Sequence, residues 1–174
     1  VSQRIFLIAS VLLCACWITA NGKYAEEPSQ RWATASTVSE ARSRALLLHE
    51  MTNGTLRIMH RDFFDDENTR NIPSASLEDV FLEIEKGFRV EMKWLTVNTD
   101  IVNVDHQAST DFEKAAVKAL AAGAPYTEEV TTDRYRFVGS IPLSSQCLKC
   151  HVKLRTSTED RTAGLIITMP IVSK

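Results

Sequence analysis

Beyond residue 16 the chain has only two cysteines, Cys147 and Cys150. No second C-x-x-C and no histidine pair at finger-like spacing accompanies them, so a structural zinc site would lack its partner ligands unless distant histidines served. A basic excess is also missing. The 20 Lys and Arg stand against 22 Asp and Glu, a formal net charge of −2, which excludes the electrostatic footprint of a nucleic-acid binder. Neither an internal repeat nor a low-complexity segment appears, and 174 residues with 44% hydrophobic and 24% charged content fit one ordinary globular domain. One long apolar run occurs, from Ile5 to Ala20, broken only by Ser10 and Thr19 and preceded by Arg4. It is too short and too one-sidedly flanked to be read first as a membrane span.

That run reads as a secretory signal cleaved after Ala20. An uncleaved anchor, or a lipid attached at Cys16 within Leu13-Cys14-Ala15-Cys16, is the alternative and the only membrane connection the sequence offers. Residues 1–20 are thus assigned to the signal, 21–36 to a flexible leader containing Pro28, and 37–174 to the folded domain. Loss of Arg4 makes the mature chain one unit more negative and leaves two thiols in an oxidising compartment, expected to be the periplasm.

Those thiols lie in Cys147-Leu148-Lys149-Cys150-His151, a C-x-x-C-H run. The pattern fits covalent c-type haem: two thiols add across the porphyrin vinyl groups and the adjoining imidazole becomes an axial ligand to iron. A thioredoxin-like dithiol is a rival, but the residues after His151 show no clear helical period. A simple disulfide is another, and it does not explain the histidine. The expectation is one haem c, held by Cys147 and Cys150 with His151 on the iron.

Periodicity places the other elements. Thr37-Val38-Ser39-Glu40 is a T-x-x-E capping box that opens a helix running to about Phe64. This helix carries His49 and His60, eleven residues apart, hence about three turns and nearly one face. Met51 and Met59 lie near them, so most candidates for a second axial ligand sit on one helix. Each taken alone is as well read as a surface residue or core filler. Ser76-Leu77-Glu78-Asp79 is expected to start a second helix that Gly87 ends, with Val80, Phe81 and Ile84 buried. Phe88 to Trp94 alternates as a strand with one face on the core. A long connection from Asn98 to Thr110 contains His106, either a haem-edge contact or a plain loop histidine. Thr110-Asp111-Phe112-Glu113 caps a third helix closed by Gly123 and Pro125. Tyr126–Thr132 and Arg134–Leu143 form a hairpin around Asp133, with Tyr135, Phe137 and Ile141 on one face. Gly164 to Val172, apolar on both sides, is expected to be a central strand as far as Pro170.

Helices mixed with strands, and an attachment motif that follows a strand near the C-terminus, do not match the all-helical small cytochrome c. Over residues 38 to 172 the order resembles a bacterial family of single-haem c-type proteins with a PAS-like sensor fold, found as periplasmic cytochromes and as sensor domains of chemoreceptors and kinases. The resemblance is carried by Trp94-Leu95-Thr96-Val97-Asn98, Asn103-Val104-Asp105-His106 leading to Phe112-Glu113, Tyr135-Arg136-Phe137 through Ile141-Pro142-Leu143, Cys147 to His151, and Gly164 through Met169-Pro170-Ile171. It implies an α+β fold: a PAS-like antiparallel sheet of about four to five strands with a long N-terminal helix and two shorter ones. Many relatives carry Asn-Pro-x-Asn where this chain has Asn103 to His106, so that loop's role is not carried over. Some relatives ligate iron with Cys or Met from the N-terminal helix. Without a spare cysteine, the ligand here is expected to be histidine, methionine or none, with His60, nearer the family's usual placement, first and His49 second.

The expected function is electron transfer or redox sensing with a redox partner protein. A small-gas sensor is the alternative, and one ending at Lys174 would need a separate signalling partner. A peroxidase-like enzyme, using His49 or His106 as acid–base group, and a zinc protein stand behind these.

Overall fold

The structure, a computed structural model, describes residues 34–63, 72–143, 145–152, 154, 156–157 and 159–172. The run expected to be a secretory signal and most of the expected leader lie outside the described residues. The last leader residues do not: Ala35 is fully buried and forms a parallel bridge with Ile171. Its N–H donates to Pro170 O at 3.1 Å, and its O accepts from Val172 N–H at 2.9 Å. Ala35, two residues ahead of Thr37, is therefore packed with the sheet. Among the described residues no helix is long and apolar enough to cross a membrane.

Four antiparallel strands make one sheet: β1 (Glu91–Thr96), β2 (Tyr126–Val130), β3 (Arg134–Pro142) and β4 (Thr162–Pro170), in the order β1-β4-β3-β2. The inner position of β4, paired with β1 through Trp94↔Leu165 and with β3 through Phe137↔Ile167, explains why its sequence is apolar on both faces. Leu165, Ile167 and Met169 join Tyr135, Phe137 and Ile141 in one core layer. Ile166 and Val138 point the other way, into a second layer with Leu95.

Helices cover both faces. Helix α1 (Val38–Phe63) buries Ala41, Ala45, His49, Thr52 and Leu56, a single stripe at three- and four-residue spacing. Glu40 N–H donates to Thr37 Oγ1 at 3.1 Å, as a cap requires, and the Glu40 carboxylate reaches one residue further back, to Ser36 N–H at 2.8 Å. Helix α3 (Asp111–Ala121) lies on the opposite face through Ala116 and Leu120, with a complete capping box between Thr110 and Glu113. Gly123, with φ of 92°, follows its end, where only glycine turns left without strain.

Helix α2 (Pro73–Phe88) departs from expectation at both ends. It begins three residues before Ser76, with Pro73 in the first turn, where a missing N–H is no loss. Gly87 stays inside the helix and Arg89 adopts the left-handed terminus at φ 55°, ψ 28°, its N–H donating to Glu85 O at 2.8 Å. The strand accordingly starts at Glu91, and Phe88 is exposed. Phe81 is buried, but Val80 points outward.

Between the central strands β3 and β4 the chain makes a long excursion. Its base is pinned by the Pro142↔Thr162 pair and by Leu143 N–H donating to Arg161 O at 3.0 Å. Within it lies helix α4 (Ser145–His151), which contains the whole C-x-x-C-H run.

Candidate haem site

The motif is helical, which the sequence did not suggest. In α4 Cys147 and His151 are four residues apart and share a face; the Cys150 backbone lies in the same helix. The helix goes no further than His151, and Val152 N–H closes it on Leu148 O at 3.0 Å. Leu148 is the buried anchor. The connection after β1 holds the other end, where Asp100 N–H donates to His151 O at 2.8 Å.

His151 and Cys147 face a cavity at the end of the sheet whose wall also includes His60 of α1 and His106 of a 3-10 turn, Val104–His106. Trp94, Leu56, Ile141 and Leu143 supply its apolar lining. Trp94 is fixed by Nε1–H donating to Ser74 O at 3.0 Å. Three elements far apart in sequence thus bring three of the four histidines and a motif cysteine to one place.

Each imidazole has a defined setting. Burial pushes the His151 pKa below its ordinary value, and the neighbouring charges of His60 and His106 push the same way against Asp100. The ring is therefore neutral at neutral pH, with a lone pair to give to a metal. His60 Nδ1 lies 3.1 Å from Leu56 O, an acceptor only, so Nδ1 carries the hydrogen and Nε2 is the basic nitrogen. A backbone carbonyl behind one ring nitrogen is a common way to orient a ligating histidine. His106 Nε2 lies 2.8 Å from Glu78 Oε1 and 3.1 Å from Asn103 Nδ2.

His49 is elsewhere. Eleven residues return a helix to nearly the same angle but also advance it by about 16 Å, so a shared face does not mean a shared site. His49 is 6% exposed; its Nε2 bonds Ser140 O at 3.1 Å and its ring meets Phe137 edge-on. It sits over Gly139, where a Cβ would overlap its Cδ2 and stand 2.5 Å from its Nε2. Glycine inside a strand marks such a close approach, and this signal was available in the sequence. Met51 is exposed and Met59 packs against the first core layer. Neither lines the cavity.

The donor set suits a haem: thiol and imidazole on one wall, a second imidazole on another, aromatic and aliphatic side chains between. Among the described residues no three His, Cys, Asp or Glu converge on one point as a bare ion requires; the histidines stand apart around a gap. The enclosed space is about 60 Å³, the liquid volume of about two waters. A macrocycle therefore needs more room than the walls leave between them.

Fold and site together define an α+β domain in which one antiparallel sheet, covered on both faces, presents a C-x-x-C-H helix to a histidine-lined cavity. The chain belongs to the Tll0287-like family, whose sequence model matches residues 34–167. Among solved structures it is similar to the cyanobacterial heme-protein Tll0287, with a TM-score of 0.57 and 11% identity over 78% of this chain and 98% of that one. No curated protein matches.

Proposed function

We propose that this chain is an exported, single-haem c-type protein that carries electrons or reports redox state to a partner protein. Cys147 and Cys150 would hold the haem, His151 would be the proximal ligand and His60 the distal one. The observation that carries this reading is the meeting of His60 with Cys147 and His151 at one apolar-walled cavity. Membership of the Tll0287-like family, and likeness to a protein described as a heme-protein, support it. The haem supplies reversible one-electron chemistry. The protein's part is to orient two imidazoles, His60 through Leu56 O and His151 in a buried setting, and to exclude water with Trp94 and Ile141. With histidine rather than methionine opposite His151, the potential should lie toward the lower part of the haem range.

The test is an optical spectrum of the protein expressed with haem-attachment machinery, oxidised, reduced and under carbon monoxide. A low-spin spectrum indifferent to carbon monoxide is expected, and His60→Ala should turn it high-spin and carbon-monoxide-sensitive. A wild type that binds carbon monoxide readily would replace the carrier with the small-gas sensor. No covalent haem at all would remove the reading.

A further inference from the structure

Helix α1 lays one face on the sheet and leaves a second apolar face in solvent. Leu47, Met51, Gly54 and Ile58 follow one another at four-, three- and four-residue spacing, the a/d repeat of a coiled-coil seam. They lie across the helix from the buried stripe of Ala41, Ala45, His49, Thr52 and Leu56. Leu47 is 69%, Met51 58% and Ile58 50% exposed. A helix that covers one sheet needs a single apolar stripe, so the second has nothing to cover within one chain.

Gly54 is an independent sign. It stands inside the helix, where glycine is destabilising relative to alanine. Among the described residues neither a left-handed turn nor a crowded neighbour accounts for it: its φ is not positive, and a Cβ added there would meet no atom within 4 Å. Glycine at such a place suits a close approach from outside. Glu50 and Arg57, seven residues apart and both exposed, flank the seam on one side. The Glu50 side chain is 72% exposed, with Oε1 3.2 Å from His49 Nδ1.

We infer that two copies of this chain pair through α1, antiparallel, along this seam. In an antiparallel pair each a position meets a d position of the other helix. Leu47 then packs on the partner's Ile58 and Met51 on the partner's Gly54, and the two-fold axis repeats both contacts. The flexible Met51 side chain fills the hollow that glycine leaves. Glu50 faces the partner's Arg57, and Arg57 faces the partner's Glu50, so opposite charges meet on the same side of the seam twice. A parallel pair would set Gly54 against its own copy and leave Glu50 about 10 Å along the axis from the opposing arginine. Three large side chains from each copy bury less than the ~1,600 Å² of a standard interface, so the dimer is reversible and forms as concentration rises. His60 lies off the seam, and the pairing is therefore independent of the haem reading.

The experiment is sedimentation velocity of the purified full chain from micromolar to millimolar concentration, in wild type, Met51→Glu, Arg57→Glu and the double variant Glu50→Lys/Arg57→Glu. The wild-type mass should rise toward twice the monomer value. Met51→Glu should remain monomeric with an unchanged urea midpoint, because the position is exposed. Arg57→Glu, which sets acidic side chains against each other, should weaken the dimer at least tenfold, and the double variant should recover it. A wild type that stays monomeric throughout overturns the proposal, and leaves the seam to a helix of some other protein. A dimer indifferent to Met51→Glu overturns it as well, by placing the interface elsewhere. Loss with Met51→Glu but equal association in both charge variants refutes the antiparallel register.

Discussion

Substituting Gly139 by alanine tests whether His49 belongs to the sheet or to the iron. The new Cβ would overlap His49 Cδ2 and stand 2.5 Å from its Nε2 and 2.8 Å from Phe137 Cε1. Both rings are buried, so neither withdraws without loss. Overpacking of this kind costs about 1–3 kcal/mol, and displacement of His49 from Ser140 O adds about 1 kcal/mol. Relief of glycine's backbone freedom returns about 0.5–1 kcal/mol, leaving a net destabilisation of about 1–3 kcal/mol. His49→Ala alone should cost about 2 kcal/mol, because it opens a cavity and strands the carbonyl. In that background the overlap with His49 is gone and only the 2.8 Å approach to Phe137 Cε1 remains, so Gly139→Ala should cost much less there than in the wild type. The double-mutant cycle should therefore show a coupling of about 2 kcal/mol, in the range of residues in contact. Urea unfolding followed by tryptophan fluorescence gives the four stabilities, and the visible spectrum of each haem-loaded protein gives the iron's ligands. Additive losses would refute the packing argument. A changed spectrum in His49→Ala would refute the separation of His49 from the cavity.

Three further outcomes are expected. Thr110→Ala removes one half of the α3 capping box and should cost about 1 kcal/mol, read as a shift in urea midpoint without spectral change. Arg42 beside Glu128, with help from Tyr135 O–H at 2.6 Å, holds the Glu128 carboxyl below its ordinary pKa. Its contribution is therefore complete above the ordinary carboxylate range and is lost as pH falls through the lower folded-state value. Glu128→Gln should lose stability at neutral pH and show a shallower acid decline, and identical pH profiles would contradict this. Cys147→Ser or Cys150→Ser should reduce the haem retained through denaturing electrophoresis, and the double substitution should abolish it.

The parts of the fold legible in the sequence were those written in local chemistry. Alternation in β3, the two-sided apolarity of β4 and the Thr110 capping box each concern neighbours along the chain. The misread ends of α2 show where this fails: Ser76 looks like a cap, but Pro73 already fits a first turn, and Arg89 takes the left-handed position while Gly87, fourteen residues after Pro73, remains helical. Ala35 carried no signal, because a single buried alanine bridging Ile171 is decided by packing across the whole chain. At the site, the motif announced Cys147, Cys150 and His151. Preference for His60 over His49 came from family resemblance; His60 lines the cavity with Cys147 and His151 and His49 does not, because of the axial advance along α1. The partners of His106 were out of reach, since Glu78 is 28 residues away.

The excursion from Leu143 to Arg161 leaves and re-enters the sheet at one pair of facing residues, Pro142 and Thr162. The motif is therefore a cassette spliced into a hairpin whose nine paired positions hold register without it. Replacing 143–161 by a two-residue Asn-Gly turn, the natural closure for such strands, should yield a cofactor-free domain with its sheet intact. Conversely, the same two strand ends should accept excursions of other lengths, making this corner a place to graft an unrelated loop.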